Sequence, residues 1–219
     1  MNWTQTRQRL LDLFSGQGGA GMGYHRAGFD VTGVDINPQP RYPFAFIQAG
    51  ALEFVHAHGR EYDIIHASPP CQVYSVTRSL SSGNHPDLVA ATRTALLATG
   101  RPFIIENVPG APLINPLMLC GTMFDLAVIR HRLFEIHPTP IYFPPRPCCH
   151  NGRSTGGSKH GRPVRRLGEF QYLTVAGNDY IKSDAERAMD IDWMTRAGLS
   201  QAVPPAYTEW LGRQLLQLF

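Results

Sequence analysis

With 219 residues, and 20 Lys and Arg against 17 Asp and Glu, the chain has room for one domain with a buried core, and its net charge of +3 makes no case by itself for a nucleic-acid partner. No apolar stretch reaches the length of a membrane span, and the start, Met-Asn-Trp-Thr-Gln-Thr-Arg, lacks the apolar core of a secretory leader. Four cysteines, two of them adjacent, do not form the spaced framework of a disulfide scaffold, so a cytosolic protein with free thiols and no membrane partner is expected.

From Arg9 to Val108 short apolar runs alternate with helix-like stretches, the pattern of an α/β domain built on a mostly parallel sheet. Strands are expected at Leu10–Phe14, Val31–Asp35, Ala45–Gln48, Asp63–Ala67 and Phe103–Glu106, with helices at Ala20–Ala27 and Asp87–Thr99. The second helix carries Leu88, Ala91, Ala95 and Leu96 at helical spacing, and Pro86 and Asp87 suit its first turn. Arg130-His131-Arg132 is expected in a strand with both arginines on one face.

From about Phe143 the chain turns to Pro, Gly, Arg, Ser and His, which predicts a loop or small lobe over 144–170 between a core of 1–143 and a return to it at 171–219. In that return Tyr172–Ala176 reads as a strand. Tyr207–Phe219 reads as a helix with Trp210, Leu211, Leu215 and Leu218 on one apolar face. Charge is uneven along this plan: residues 130–166 hold eight basic residues and one acid, Glu135, leaving twelve basic and sixteen acidic residues elsewhere. Such a strip suits a polyanion and equally a solvated loop.

Asp12-Leu-Phe-Ser-Gly-Gln-Gly-Gly-Ala-Gly21 sets a glycine-rich turn between the first strand and the first helix. Glycines let the backbone turn tightly and approach a ligand, and the helix N-terminus offers free N–H groups. Asp35, nineteen residues after Gly16, stands where an acid would accept hydrogen bonds from ribose hydroxyls. Gly16, Gly18 and Gly21 also satisfy the dinucleotide pattern, so this segment alone admits a nicotinamide enzyme.

Ser68-Pro69-Pro70-Cys71-Gln72 follows an apolar strand, at the end where ligands of α/β sheets sit. Two prolines restrict the backbone ahead of the thiol, which is useful for a nucleophile. Glu106 ends a buried-type strand, where a carboxylate needs a pocket and a partner. Arg130 and Arg132 can bind a phosphate, a carboxylate or a carbonyl oxygen, and a purely structural ion pair with Glu106 is the bland alternative.

In this order the segments resemble the cytosine-C5 DNA methyltransferase family. Asp12-Leu-Phe-Ser-Gly-Gln-Gly-Gly is similar to its cofactor motif, Pro69-Pro70-Cys71-Gln72 to its nucleophile motif, Glu106-Asn107-Val108 to its acid motif, and Arg130-His-Arg132 to the end of its Gln-x-Arg-x-Arg motif. The likeness resumes at Gln201-Ala-Val-Pro-Pro-Ala-Tyr-Thr. It implies a Rossmann-like fold, S-adenosyl-L-methionine as cofactor, and methyl transfer to C5 of a cytosine flipped out of double-stranded DNA. Cys71 would add to C6, Glu106 would protonate or hydrogen-bond N3, and Arg132 helped by Arg130 would bind O2.

The same resemblance places Phe14 and the Gly16–Gly19 turn, including Gly18, against the methionine end of the cofactor, Asp35 on the ribose and Ile36 on the adenine face, with Ser15 and Pro69 in the same site. Gln72 and Ser75 of the cysteine loop would face DNA, as would the basic residues Arg146, Arg153, Lys159, Arg162, Arg165 and Arg166. A monomer of bacterial or viral source is expected.

Three departures from the family pattern stand out. Gly50 matches the acid that binds the adenine amino group, Val128 replaces the glutamine of the arginine motif, and Ser200-Gln201-Ala202-Val203 replaces a Gly-Asn pair. Only about 144–170 remains for target recognition, so a small basic recognition loop with short or relaxed specificity is expected. Cys148, Cys149, His150 and His160 invite a zinc site, but adjacent cysteines are poorly spaced to chelate one ion, and a metal-free loop is the expectation. The rival readings are an RNA cytosine methyltransferase, a nicotinamide-dependent oxidoreductase and a catalytically inactive DNA-binding relative.

Overall fold

The computed structural model describes residues 7–70, 88–138, 146–150, 154–155, 158–159, 162–163, 172–177 and 180–218. In chain order the main elements are β1 (Arg9–Leu13), α1 (Gly19–Ala27), β2 (Asp30–Asp35), β3 (Ala45–Gln48), α2 (Ala51–His58), β4 (Ile64–Ala67), α3 (Leu88–Thr99), β5 (Phe103–Asn107), β6 (Leu117–Leu119) and β7 (Arg132–His137). Two-residue strands follow at β8 (Ser154–Thr155), β9 (Ser158–Lys159), β10 (Arg162–Pro163) and β11 (Tyr172–Leu173), then α4 (Lys182–Met189), α5 (Arg196–Gln201) and α6 (Pro205–Leu215). Among the described residues no helix is long and apolar enough to cross a membrane.

Seven strands form one sheet in the order β3-β2-β1-β4-β5-β7-β6. The pairings from β3 through β5 are parallel, and β7 runs antiparallel to both β5 and β6. Strand alternation sorts the core into two layers. Leu10, Ile64 and Ile104 face Tyr24 of α1 and Tyr207, Leu211 and Leu215 of α6, while Leu11, Ile65 and Ile105 face Val55 of α2 and Leu96 of α3. A third apolar cluster joins Val128 to Leu173, Val175, Tyr180, Ala188, Met189 and Leu199, so the return of the chain has its own buried packing.

Most expected elements appear with shifted ends. β1 stops at Leu13 because Phe14 takes a positive φ of 56°, which leaves the ladder. The strand with the arginines begins at Arg132, so Arg130 precedes it. α3 is described from Leu88, while Pro86 and Asp87 lie outside the described residues. The strand expected over Tyr172–Ala176 forms ladder bonds only at Tyr172–Leu173, where β8 and Val128 flank it. Lys182–Met189 was invisible as an amphipathic helix because its buried positions are Asp184, Ala185, Ala188 and Met189, with one large apolar side chain among them.

The glycine-rich turn is shaped from beneath by Tyr42. An added Cβ at Gly18 or Gly33 would strike the Tyr42 ring, and at Gly21 it would meet the Tyr42 hydroxyl at 2.8 Å and Asp12 at 2.9 Å. Tyr42 donates to Asp12 Oδ2 at 3.0 Å. Burial outweighs that bond and pushes the Asp12 pKa up to about 8.

Because Asp12 ionises near 3.8 when exposed and near 8 when folded, the native state holds an extra proton between these values, and stability falls as pH rises through that window. His66, beside Asp12 in the ladder, is lowered by burial to about 3, so its opposite contribution is confined to below about pH 6.5. The loss of stability between pH 7 and 9 is expected to shrink in Asp12→Asn, as measured by urea midpoints; equal slopes in variant and wild type would refute the assignment.

Candidate active site

The sheet's connections reverse direction between β1 and β4, with β2 and β3 on one side and β5 on the other. Loops leaving the strand ends beside such a reversal diverge and leave a crevice. The loops after β1 (Phe14 to Gly18), after β2 (Ile36 and Asn37) and after β4 (Ser68 to Pro70) all leave that edge.

Phe14 sits in the left-handed region, a strain that side chains other than glycine rarely carry and that clusters at ligand sites. Asp35 ties two loops together, accepting from Gly16 N at 3.0 Å through Oδ2 and from Asn37 N at 2.9 Å through Oδ1. A carboxylate has about four acceptor positions, so both oxygens retain capacity for ribose hydroxyls. Ile36, next to Asp35, leaves 70% of its surface exposed. Ser15 Oγ is buried with no partner among the described residues, and an added Cβ at Gly16 would meet nothing within 4 Å. An acid, an uncovered apolar face, an orphaned hydroxyl and open space beside the turn fit a nucleoside-bearing cofactor.

The other glycines of the turn have packing reasons instead. Gly18 accommodates Tyr42 and Pro43, and Gly19 approaches Val203, whose carbonyl oxygen would lie 2.5 Å from an added Cβ. The C-terminal segment therefore closes directly on the turn. Gln17 receives Thr195 N on its side-chain oxygen at 2.8 Å and Trp193 Nε1 on its main-chain oxygen at 2.8 Å. Gln17, Trp193 and Thr195 escaped sequence reasoning because some 176–178 residues separate these partners.

Glu106 and Arg132 meet for a reason of register. Glu106 stands opposite Phe134 across the antiparallel β5–β7 pair, so Arg132, two residues earlier, is its diagonal neighbour on the same face. Arg132 Nε lies 3.0 Å from Glu106 Oε1, with both side chains largely buried. Burial raises the Glu106 pKa, while Arg132, a hydrogen bond from Ser68 and the charge of Arg130 oppose the rise.

Ser68 in turn lies 2.9 Å from His66 Nε2, and His66 Nδ1 lies 3.0 Å from the Tyr24 hydroxyl. With Ser68 donating to Glu106, one polarity satisfies the chain: Tyr24 donates to Nδ1, and Nε2–H donates to Ser68. Asn107 Nδ2 donates to the carbonyl of buried Pro69 at 3.0 Å, fixing the backbone two residues before Cys71.

Arg130 departs from its expected role beside Arg132. Its Nε, Nη1 and Nη2 donate to the carbonyls of Ala202, Val175 and Ser200, so it staples the C-terminal segments to the core and does not present a free guanidinium. Burial, with Arg132 adding, lowers its pKa to about 9, which still leaves it charged at neutral pH.

Cys71, Gln72, Ser75, Arg153, Arg165 and Arg166 lie outside the described residues. The main chains of Lys159 and Arg162 face each other across the β9–β10 ladder. Arg146 is exposed and ion-paired with Asp125. Glu135, the one acid of the basic strip, is buried against Arg93 at 2.7 Å, so it does not offset the strip's charge toward solvent. His131, between the two arginines, joins Cys120, Cys148 and His150 in a cluster whose ligand atoms all lie within 4.8 Å of one another. Among the described residues the zinc question posed by the sequence thus has a different membership: Cys149 is not in the set, Cys120 and His131 are, and His160 lies outside the described residues.

No family model matches the chain. It is 29% identical over 123 residues to the type II methyltransferase M.XorII of Xanthomonas oryzae pv. oryzae, covering 48% of this chain and 29% of that protein. It is 28% identical over 123 residues to the type II methyltransferase M.AquIA of a Picosynechococcus species, covering 47% and 49%. The chain thus spans under half the length of these curated relatives. A solved Escherichia coli prophage protein described as a putative DNA modification methyltransferase superposes with a TM-score of 0.62 at 17% identity, over 96% of this chain and 99% of that one. Schizosaccharomyces pombe Dnmt2 methyltransferase does so with a TM-score of 0.59 at 12% identity, over 97% and 99%. By strand order, orientation and superposition, the chain has a Rossmann-like α/β fold, shared with these two methyltransferase structures.

Proposed function

We propose that this chain is a DNA cytosine-C5 methyltransferase that uses S-adenosyl-L-methionine and attacks a flipped-out cytosine with Cys71. The supporting observation is the buried Glu106–Arg132 pair, tied through Ser68 to the start of the Pro-Pro-Cys-Gln loop, at the strand edge that also carries Asp35 and Ile36. The relatives described as type II methyltransferases support methyl transfer, and the prophage neighbour described as a DNA modification methyltransferase supports DNA as the substrate.

When bound, the cofactor supplies an electrophilic methyl group on a sulfonium. The Cys71 thiolate gives an electron pair to C6 of cytosine, and the ring's displaced electrons make C5 nucleophilic. Glu106, held toward its protonated form by burial, gives a proton to N3, and Arg132 stabilises O2. C5 then takes the methyl group, leaving the bonding pair on the donor sulfur. Loss of the C5 proton to water or hydroxide, expulsion of the Cys71 thiolate and return of the N3 proton to Glu106 restore ring and enzyme. Arg130 positions Arg132 by stapling the segments around it. The Glu53 carboxylate folds back over Gly50, which leaves an acid beside the position where the family pattern has one. The basic residues from Arg146 to Arg166 contact DNA phosphates.

Expressed in a host without cytosine methylation, the protein is expected to leave 5-methylcytosine in a short sequence context, with none from Cys71→Ser. Glu106→Gln is expected to slow transfer by about 10²–10⁴-fold. Duplex DNA carrying 5-fluorocytosine at modified sites should trap a donor-dependent covalent adduct; absence of that adduct with active enzyme sinks the mechanism, and transfer to RNA in place of DNA sinks the substrate. Ile36→Ala is expected to weaken cofactor binding about tenfold in calorimetric titration while leaving the melting temperature unchanged, since the side chain is 70% exposed. Unaltered affinity would remove Ile36 from the adenine face.

A further inference from the structure

Cys120 follows β6, His131 precedes β7, and Cys148 and His150 belong to the segment 146–150, so the four meet only in the folded chain. Cys148 Sγ lies 3.0 Å from His150 Nε2 and 3.5 Å from His131 Nε2, and Cys120 Sγ lies 3.3 Å from His150 Nε2. In a tetrahedral zinc centre, with Zn–S about 2.3 Å and Zn–N about 2.0–2.1 Å, each sulfur-to-nitrogen edge is roughly 3.5 Å. Those three sulfur-to-nitrogen edges, at 3.0–3.5 Å, stand close to that spacing, and all four ligand atoms lie within 4.8 Å of one another.

The donor chemistry is also selective. Two sulfurs and two imidazoles suit zinc and do not suit the oxygen-seeking magnesium or calcium ions. Thr122 Oγ1 donates to the sulfurs of Cys120 and Cys148 at 3.5 and 3.8 Å, and main-chain N–H groups of Thr122 and Arg130 also bond the Cys120 sulfur. Donors of this kind surround thiolates that ligate metal. Cys120 is fully buried and His131 half-buried, whereas His150 closes the cluster from the exposed side.

We propose that Cys120, His131, Cys148 and His150 bind one Zn²⁺ in a closed structural site that clamps the segment 146–150 to the turn carrying Arg130 and Arg132. Four protein ligands leave no open position for chemistry at the metal. The ion fixes the root of the basic stretch that begins at Arg146, and through His131 it fixes the approach to the Glu106–Arg132 pair. Cys149 is not a ligand: it is exposed, and its main-chain N–H goes to Thr122 Oγ1. The site does not depend on the proposed methyl transfer.

The test is elemental analysis of the full chain purified under reducing conditions from zinc-supplemented medium. About one zinc per chain is expected in wild type and in Cys149→Ser, with loss from Cys148→Ser and from His150→Ala, an exposed position whose change leaves the core intact. Zinc-free protein titrated with Co²⁺ alone should develop the visible absorption of tetrahedral cobalt with thiolate ligands. Absence of zinc in wild type, equal zinc in His150→Ala, or loss from Cys149→Ser matching that from Cys148→Ser would each overturn the proposal.

Discussion

β1 and β4 lie side by side in a parallel ladder, yet the chain leaves them toward opposite halves of the sheet. That topological constraint organises everything at the functional edge. The glycine turn and Asp35 belong to the β1–β2 half, while Ser68, Glu106 and Arg132 belong to the β4–β5–β7 half. A crevice between halves allows the proposed cofactor site and the acid–arginine pair to sit close together without either group of loops having to fold over the other. The C-terminal segment then closes on the glycine turn through Gln17, Gly19 and Val203, so residues from the two ends of the chain share one site.

A carboxylate and a guanidinium removed from water are costly unless each satisfies the other, and the cost is met here by geometry. The antiparallel addition of β7 makes Glu106 and Arg132 diagonal neighbours, and Ser68 at the end of β4 completes the shell. The result is an acid that burial pulls toward protonation while a fixed cation holds it in place. Tyr24 and His66 extend this arrangement into the core, which gives Ser68 a defined polarity. Such a group is suited to passing a proton to a ring nitrogen, the role proposed for it.

Residues 130 to 132 show how adjacent side chains can be sent to different tasks. Arg130 turns inward to three carbonyls of the C-terminal region, His131 turns to Cys148, and Arg132 turns to Glu106. One short segment therefore links the third apolar cluster, the proposed zinc clamp and the candidate active site. Movement of the 146–150 segment cannot be independent of Arg132 if a metal holds His131 from one side.

The sequence by itself determined the elements whose signals are local. Short apolar runs in β1, β2, β4 and β5, the glycine turn before α1, and an acid at the end of a buried strand each reveal themselves within a few residues, because apolar burial, turn conformation and charge burial act over that range. Glu106 was legible as a partnered acid for this reason, and the likeness of four spaced motifs supplied the chemistry. Only the tertiary structure decided which arginine became that partner, since Arg130 finds its acceptors 45 to 72 residues away. It also decided why Gly18 and Gly21 must be glycine, which depends on the ring and hydroxyl of Tyr42, and it brought Cys120 and His131 to Cys148 and His150. Contacts of that kind follow from the packing of whole layers, and no local spacing of residues encodes them.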